Sequence, residues 1–290
     1  MKNNTRNYFS FVLLYIFSTF VYGGNVNQSA VVTAHQIATR TGLEILKKGG
    51  NAFDAAAAIT ASLAVVEPYG SGLGGGGFWL LHRSSDNKQV VLDGREMAPM
   101  RSRKDMYLDK DGNILSGLSL NGPMAAGIPG VVAGIDYLVT HYGQLSLQDI
   151  LAPAIQQAKN GFIVTERYQK LIRYRKNILQ QYVGTAAIFL KNNKIPKIGD
   201  FIVQNDLAKT LSMISENGSK GFYQGVFAQK MVNSVQENGG IWETYDLENY
   251  KIIEREPVTV NYKGIKVTSV PPPSSGGIVL GQALNILEKF

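Results

Sequence analysis

Gly-Ser-Gly-Leu-Gly-Gly-Gly-Gly-Phe stands at residues 70–78, and Asp-Gly-Arg-Glu-Met-Ala-Pro follows at 93–99. Six of the eight residues from Gly70 to Gly77 are glycine, which costs too much conformational entropy in a helix or a packed strand unless it serves a purpose. Positive φ angles, or a close approach of the backbone to other backbone or to a ligand, would be such a purpose. Arg95 lies just beyond the tract, and its fixed donors suit a carboxylate or a phosphate. Together, the two segments predict a site for a small anionic substrate.

The glycine tract fits neither a flexible linker nor a nucleotide-binding loop. Linkers contain more serine and polar residues and are not bordered by an apolar helix and strand. A phosphate-binding loop would carry Gly-x-x-x-x-Gly-Lys-Ser/Thr and open a helix, whereas this tract leads into the apolar strand that begins at Phe78. We therefore interpret the tract as closely packed backbone beside the site.

The pattern on both sides of the tract predicts helices and paired strands. Before the tract we expect a helix over 34–48 that stops at Gly49, and a second helix over 55–66 that Asp54 caps. After it, strands 78–82 and 89–93 form a hairpin with Arg95 at its exit. Further helices are predicted over 146–159, 165–182, 206–217, 227–238 and 278–290, and a hairpin over 258–270. This alternation indicates an α+β fold.

The composition excludes several kinds of site. The chain of 290 residues has no cysteine, which excludes disulfides, thiolate metal sites and a cysteine nucleophile, and its three histidines are far apart. Asp109, Asp111 and Asn113 have the spacing that opens a calcium loop, but the glycine and glutamate that such a loop needs are absent, so a turn is the better interpretation. We expect no metal and no cofactor.

The charge of the chain is moderately basic, with a formal net charge of +7. Five of its cations lie in the predicted helix 165–182, where a solvated helix face is a better explanation than nucleic-acid binding. At the N-terminus, Lys2 and Arg6 precede an apolar stretch from Tyr8 to Tyr22, and small residues follow at 23 and 24. Residues 1–24 are therefore predicted to be a secretory signal peptide, the chain's only contact with a membrane, and the protein to be periplasmic or secreted.

Several motifs resemble one enzyme family. The motifs are Gly-Leu-Gly-Gly-Gly-Gly-Phe at 72–78, Arg-Glu-Met-Ala-Pro at 95–99 and Pro-Pro-Pro-Ser-Ser-Gly-Gly at 271–277, together with Gly-Asn-Ala-Phe-Asp-Ala-Ala at 50–56 and Gly-Ile-Pro-Gly-Val-Val-Ala-Gly at 127–134. In this order they resemble the gamma-glutamyltranspeptidase (glutathione hydrolase) family from about Val31 to Phe290. The resemblance implies an N-terminal-nucleophile hydrolase fold, an αββα sandwich of two sheets between helical layers.

The family's chemistry follows from the same resemblance. In relatives, the arginine before Glu-Met-Ala-Pro binds the α-carboxylate of the γ-glutamyl group, which makes Arg95 the expected substrate-binding residue. The family's nucleophile is a threonine that self-cleavage leaves at the amino terminus of a small subunit, with its own amine as base. The reaction transfers the γ-glutamyl group from glutathione to water or to an amino acid.

No threonine of this chain has the sequence context of that nucleophile. We therefore expect residues 25–290 to be the N-terminal portion of the large subunit, an incomplete sandwich whose partners are the C-terminal segment and the small subunit. No catalytic residue is assigned. Two alternatives stay open: an inactive truncated product that binds γ-glutamyl compounds weakly at most, and a related acylase, which Arg95 disfavours because it suits an α-amino-acid substrate.

Overall fold

The computed structural model describes residues 29–290, so the predicted signal peptide at 1–24 lies outside the described residues. The helices within this range are α1 Gln36–Lys47, α2 Ala52–Val66, α3 Val131–Tyr142, α4 Leu147–Asn160, α5 Glu166–Gln181, α6 Val183–Phe189, α7 Asn205–Asn217, α8 Ser219–Tyr223, α9 Gly225–Glu237, α10 Thr244–Glu248 and α11 Gly276–Leu287. The strands are β1 Gly77–Arg83, β2 Lys88–Gly94, β3 Phe162–Ile163, β4 Phe201–Ile202, β5 Ile253–Arg255, β6 Val258–Tyr262 and β7 Ile265–Ser269.

The described strands form three small antiparallel sheets. The largest has the order β1-β2-β5, while β3 pairs with β4 and β6 pairs with β7. In the first sheet, Gly77 lies opposite Gly94 and Phe78 lies opposite Asp93, so the end of the glycine tract and the exit of β2 are neighbours. The predicted hairpins and the α+β class are confirmed.

Helix α2 is the central element of the core. Its alanines Ala57, Ala58 and Ala61 have no exposed surface, and the helix packs against α1, α3 and α4. Small side chains on several faces let three neighbours approach closely, which suits a helix buried almost all round. The helix ends at Val66, only a few residues before the glycine tract, and thus fixes one end of that tract.

The prediction that Asp54 caps α2 is wrong, although Asp54 belongs to the same capping box. Asn51, not Asp54, is the N-cap, and its side chain accepts hydrogen bonds from the N–H groups of Phe53 and Asp54. Asp54 is the reciprocal partner, since its carboxylate accepts from the Asn51 N–H over 2.8 Å. Asp54 also accepts from the backbone N–H of Gln144, a contact from a distant loop that explains why this carboxylate is buried.

Candidate active site

Arg95 follows β2 directly, and hydrogen bonds hold its backbone on both sides. Its N–H donates to Asp93 Oδ1 over 3.0 Å, and its carbonyl accepts from the Tyr250 hydroxyl over 2.7 Å. Burial, with the nearby carboxylates of Asp93 and Glu96, raises the pKa of Tyr250, so the hydroxyl stays protonated and remains a donor. These bonds fix the point at which the Arg95 side chain leaves the sheet.

The Asp93 carboxylate forms an ion pair with a different arginine. Arg255, at the end of β5, donates its Nε–H to Asp93 Oδ2 over 2.7 Å, and the Asp93 side chain is 6% exposed. The structural alternative for Arg95 is an ordinary ion pair with Glu96 or Asp93. Arg255 takes the place beside Asp93, whereas the guanidinium of Arg95 does lie beside Glu96.

The glycine tract packs its backbone against residues 94–96. A Cβ on Gly76 would lie 2.5 Å from the Gly94 carbonyl oxygen, 2.7 Å from Glu96 N and 2.8 Å from Arg95 Cα. None of the glycines at 70–77 has a positive φ angle. Of the two purposes that the sequence offered for the tract, the close approach of backbone to backbone is therefore the one found here.

The carbonyl of Gly75 joins the glycine tract to helix α3. Gly75 O accepts hydrogen bonds from the N–H groups of Gly130 and Val131 over 2.8 and 3.1 Å. Val131 is the first residue of α3, and Gly130 is its N-cap without a side-chain bond, so these donors would otherwise lack an intrahelical partner. The tract thus supplies the cap that the helix's own sequence lacks.

The guanidinium of Arg95 is half exposed, at 52% of its side-chain surface. Its central carbon lies 5.9 Å from the centre of the Phe78 ring, a cation–π distance. One of its terminal nitrogens lies 3.3 Å from Glu96 Oε2. Among residues 29–290, Glu96 is thus the acidic partner of the Arg95 guanidinium.

Glu96 is the site residue that sequence reasoning missed. Its Oε2 atom is buried and has no hydrogen-bond partner, because the nearby Arg95 nitrogen makes charge contact without hydrogen-bond alignment. Gly127 packs against this side chain, since a Cβ there would meet Glu96 Cβ at 2.9 Å. The sequence showed a glutamate beside Arg95 but not that its oxygen is buried and unsatisfied.

Arg95 and Glu96 line a cavity of about 550 Å³. The other lining residues are Thr60, Leu63, Pro68, Tyr69, Gly70, Ser71, Gly72, Gly75, Gly76, Gly77, Phe78, Trp79 and Val131. A second cavity of about 320 Å³ on the other side of Arg95 is lined by Met97, Met106, Tyr107 and Met124, among others. A concave space with a mixed polar and apolar lining and two charged side chains has the size and chemistry of a small-molecule site.

The threonine hydroxyl in the first cavity is engaged within its helix. Thr60 Oγ1 donates to the Ala56 carbonyl over 2.8 Å and accepts from Trp79 Nε1 over 3.2 Å. A hydroxyl used in this way has no adjacent base to activate it. Thr60 is therefore a packing residue, and it gives no reason to assign a nucleophile here.

The remaining candidate sites are structural. The Asp109 carboxylate accepts from the N–H groups of Asp111 and Asn113, which is the turn that the sequence predicted. Within residues 29–290, no three histidine or acidic side chains come together in a way that could hold a metal ion. The same residues include no helix long and apolar enough to span a membrane. The basic stretch lies on α5, where Lys170, Arg173 and Arg175 are exposed.

Comparison with known proteins shows the family and the fold of the chain. Residues 38–290 match the family model described as gamma-glutamyltranspeptidase. The glutathione hydrolase proenzyme of Escherichia coli is 44% identical over 264 residues, which are 91% of this chain and 45% of that protein. The crystal structure of Helicobacter pylori gamma-glutamyltranspeptidase superimposes with a TM-score of 0.89 at 40% identity, over 92% of this chain and 76% of the other. The gamma-glutamyltranspeptidase from Pseudomonas nitroreducens gives a TM-score of 0.84 at 36% identity, over 91% and 77%.

These matches confirm the predicted N-terminal-nucleophile hydrolase fold class. They also show that the chain spans just under half the length of the curated relatives it matches, 45% for the Escherichia coli protein.

Proposed function

The chain belongs to the gamma-glutamyltranspeptidase family, and from this premise we propose that it forms the substrate-binding part of a glutathione hydrolase and γ-glutamyltransferase. The enzyme transfers the γ-glutamyl group of glutathione, or of another γ-glutamyl compound, to water or to an amino acid. Residues 25–290 correspond to the N-terminal portion of the large subunit in this proposal. The relatives named above are proenzymes or transpeptidases of the same family, which supports the reaction class.

The pair formed by Arg95 and Glu96 is the observation that carries this proposal. A γ-glutamyl group ends in an α-carboxylate and an α-ammonium on one carbon. The guanidinium fork of Arg95 suits the carboxylate, with two parallel charge-assisted hydrogen bonds, and the Glu96 carboxylate, which lines the same cavity, suits the ammonium. An α-amino-acid head would match both groups at once, whereas an acylase substrate with an uncharged acyl side chain offers no such pair of charges.

The chemical step of the proposed reaction uses an N-terminal threonine. Its hydroxyl oxygen bonds to the γ-carbonyl carbon while its own amine takes the hydroxyl proton, the leaving amine departs with a proton, and a γ-glutamyl ester forms. Water or an acceptor amine then breaks that ester. We assign this threonine to none of the 290 residues, and the chain's own task is to hold the amino-acid head in place.

Export is part of the proposal. Residues 1–24 combine a basic start, an apolar stretch and small residues near 23 and 24, as a secretory signal does. An enzyme that degrades external glutathione would act in the periplasm or after secretion. Processing near Gly24, detected as the mass of the mature chain recovered from an osmotic-shock fraction, tests this point, and an intact chain in the cytosol would contradict it.

Substitution of Arg95 tests the function. Binding of L-glutamate to the purified chain is measured by calorimetry for the wild type, for Arg95→Lys and for Arg95→Gln. Because the guanidinium is half exposed, we expect the loss in binding free energy to lie at the lower end of the range for a charge-assisted hydrogen bond. The affinity for L-glutamate should therefore fall about tenfold in Arg95→Lys and further in Arg95→Gln.

Arg103→Lys is the matched control for this test. Arg103 is an exposed arginine whose nearest acidic partner is Asp105, and it lines neither of the two cavities next to Arg95. Equal glutamate affinity in the wild type and in both Arg95 variants would reduce Arg95 to a structural residue and favour the alternative of an inactive product. A β-lactam side chain that binds while glutamate does not would favour the acylase alternative.

A further inference from the structure

Tyr69 lies on the wall of the larger cavity that Arg95 lines, and three neighbours hold it in place. Its hydroxyl donates to Glu67 Oε1 over 3.2 Å. The guanidinium carbon of Arg167 lies 5.8 Å from the centre of the Tyr69 ring, and the ring of Tyr168 meets it edge-on with centroids 6.0 Å apart. An aromatic side chain fixed in this way presents a rigid apolar surface at little entropic cost to a ligand.

The Glu67 carboxylate explains why the ring is locked. Glu67 is 4% exposed, and its Oε1 lies 3.7 Å from Nε of Arg167 as well as near the Tyr69 hydroxyl. Burial, and then the charge of Glu67, raise the pKa of Tyr69, so this hydroxyl stays a donor at neutral pH. A buried carboxylate needs such partners. The Glu67 carbonyl also accepts from the N–H groups of Gly70 and Ser71, which ties the start of the glycine tract to the same point.

The cavity has more room than an amino-acid head requires. Among the described residues that line it, Arg95 and Glu96 are the charged ones, and the proposed function already uses both for the head. The rest of the wall includes Pro68, Tyr69 and Phe78, which are apolar or aromatic. A volume of about 550 Å³ falls in the range of sites that enclose larger ligands. The unused part of the cavity can thus take an aromatic or apolar group against Tyr69 and Phe78, within a wall that also contains hydroxyl groups and glycine backbone.

We propose that Tyr69 is a specificity-determining residue that binds the apolar or aromatic group carried by the γ-amide nitrogen of the substrate, an inference that rests on the proposed function. The preferred substrates are then γ-glutamyl amides of aromatic or large apolar amines, above γ-glutamyl derivatives of glycine. Glu67 and Arg167 act through Tyr69 as positioning residues. No bond is made or broken at Tyr69.

Affinity measurements on the full chain test this assignment. Three ligands are titrated by calorimetry: L-glutamate, γ-L-glutamylglycine and γ-L-glutamyl-4-nitroanilide. We expect the wild type to bind the anilide more tightly than the glycine derivative, and Tyr69→Leu to reduce that ratio about fivefold, the usual worth of one aromatic contact. The Kd of L-glutamate should not change, because glutamate lacks the group that Tyr69 contacts. Tyr69→Phe keeps the ring and should retain most of the ratio.

Two control variants separate this role from general effects on the fold. Tyr107→Leu removes an aromatic residue from the smaller cavity and should leave the ratio unchanged. Arg167→Gln alters an exposed side chain and frees one face of the Tyr69 ring, so it should lower the ratio about twofold, less than the loss of the whole aromatic contact. If Tyr69→Leu does not fold, the comparison of Arg167→Gln with the wild type decides the question.

The outcomes distinguish this inference from the proposed function. The role of Tyr69 alone would be overturned if glutamate binding depends on Arg95 but neither Tyr69→Leu nor Arg167→Gln changes the ratio of the affinities for the anilide and the glycine derivative. The role of Tyr69 would also be overturned if Tyr107→Leu lowered this affinity ratio as much as Tyr69→Leu does. Failure of all three ligands to bind the wild type would overturn the proposed function and this inference with it.

Discussion

Replacing Gly76 with alanine should disturb the site from within the fold. The added Cβ would meet the Gly94 carbonyl oxygen at 2.5 Å, Glu96 N at 2.7 Å and Arg95 Cα at 2.8 Å. All three atoms are backbone, and the pairing of Gly77 with Gly94 holds them against the tract. To reach an ordinary carbon–carbon contact, Arg95 Cα would have to move by roughly 0.6 Å. No side-chain rotation can relieve this overlap.

Because the surrounding backbone cannot make room for the added methyl group, we expect Gly76→Ala to lower the free energy of unfolding by about 2–3 kcal/mol. For a chain of this size that corresponds to a fall of about 3–5 °C in Tm, measured by circular dichroism. Binding sites tolerate displacements of about 0.5 Å, so we also expect the affinity for L-glutamate to fall about tenfold.

Gly74→Ala is the matched control for Gly76→Ala. Gly74 belongs to the same tract, yet a Cβ there would have no atom within 4 Å. Loss of one glycine from the unfolded chain should leave stability unchanged or raise it by about 0.5 kcal/mol. If Tm were unchanged in Gly76→Ala, or fell equally in both variants, the close approach of backbone to backbone would not explain why the tract consists of glycine.

Three further substitutions test the supports of the site and of the core. Asn51→Ala removes the N-cap of α2 and should cost about 1–2 kcal/mol in urea unfolding; no change in the midpoint would contradict that role. Asp93→Asn leaves Arg255 without its ionic partner and should cost about 2 kcal/mol, whereas a neutral effect would show that the pair adds nothing. Burial holds the pKa of His35 below its ordinary value of 6.5, and the neutral ring accepts from the Ile37 N–H. The unfolded chain then takes up the proton first, so Tm should be constant above pH 6.5 and fall as the pH drops below it. His35→Asn, which caps without titrating, should flatten that part of the profile.

Local sequence patterns predicted the elements that position the site. Alternating apolar residues around a polar turn gave the β1–β2 hairpin, which the structure extends by one residue at each end of both strands. The exit of β2 then placed Arg95 without any knowledge of the rest of the chain. These features depend on neighbours within a few residues, and for that reason the sequence reveals them.

Local sequence patterns could not predict the contacts between distant segments of the chain. Arg255 meets Asp93 from 162 residues away, and nothing in either segment names the other as its partner. The contact of Asp54 with the Gln144 N–H, 90 residues away, has the same limit, whereas the capping box that Asp54 forms with Asn51 is local. The burial of one Glu96 oxygen was not predictable either, because it depends on how a remote segment, here at Gly127, packs against that side chain.

The case for function rests on what the fold leaves unused around Arg95. A structural arginine has its donors consumed, as Arg255 does with the buried Asp93. Arg95 instead has its backbone fully bonded, while its side chain makes one unaligned charge contact with Glu96. Glu96 lines the same cavity, and one of its carboxylate oxygens is buried beside the Arg95 nitrogen that makes this contact. A ligand that carries both a carboxylate and an ammonium would match both residues together, so the pair favours binding of an α-amino-acid head.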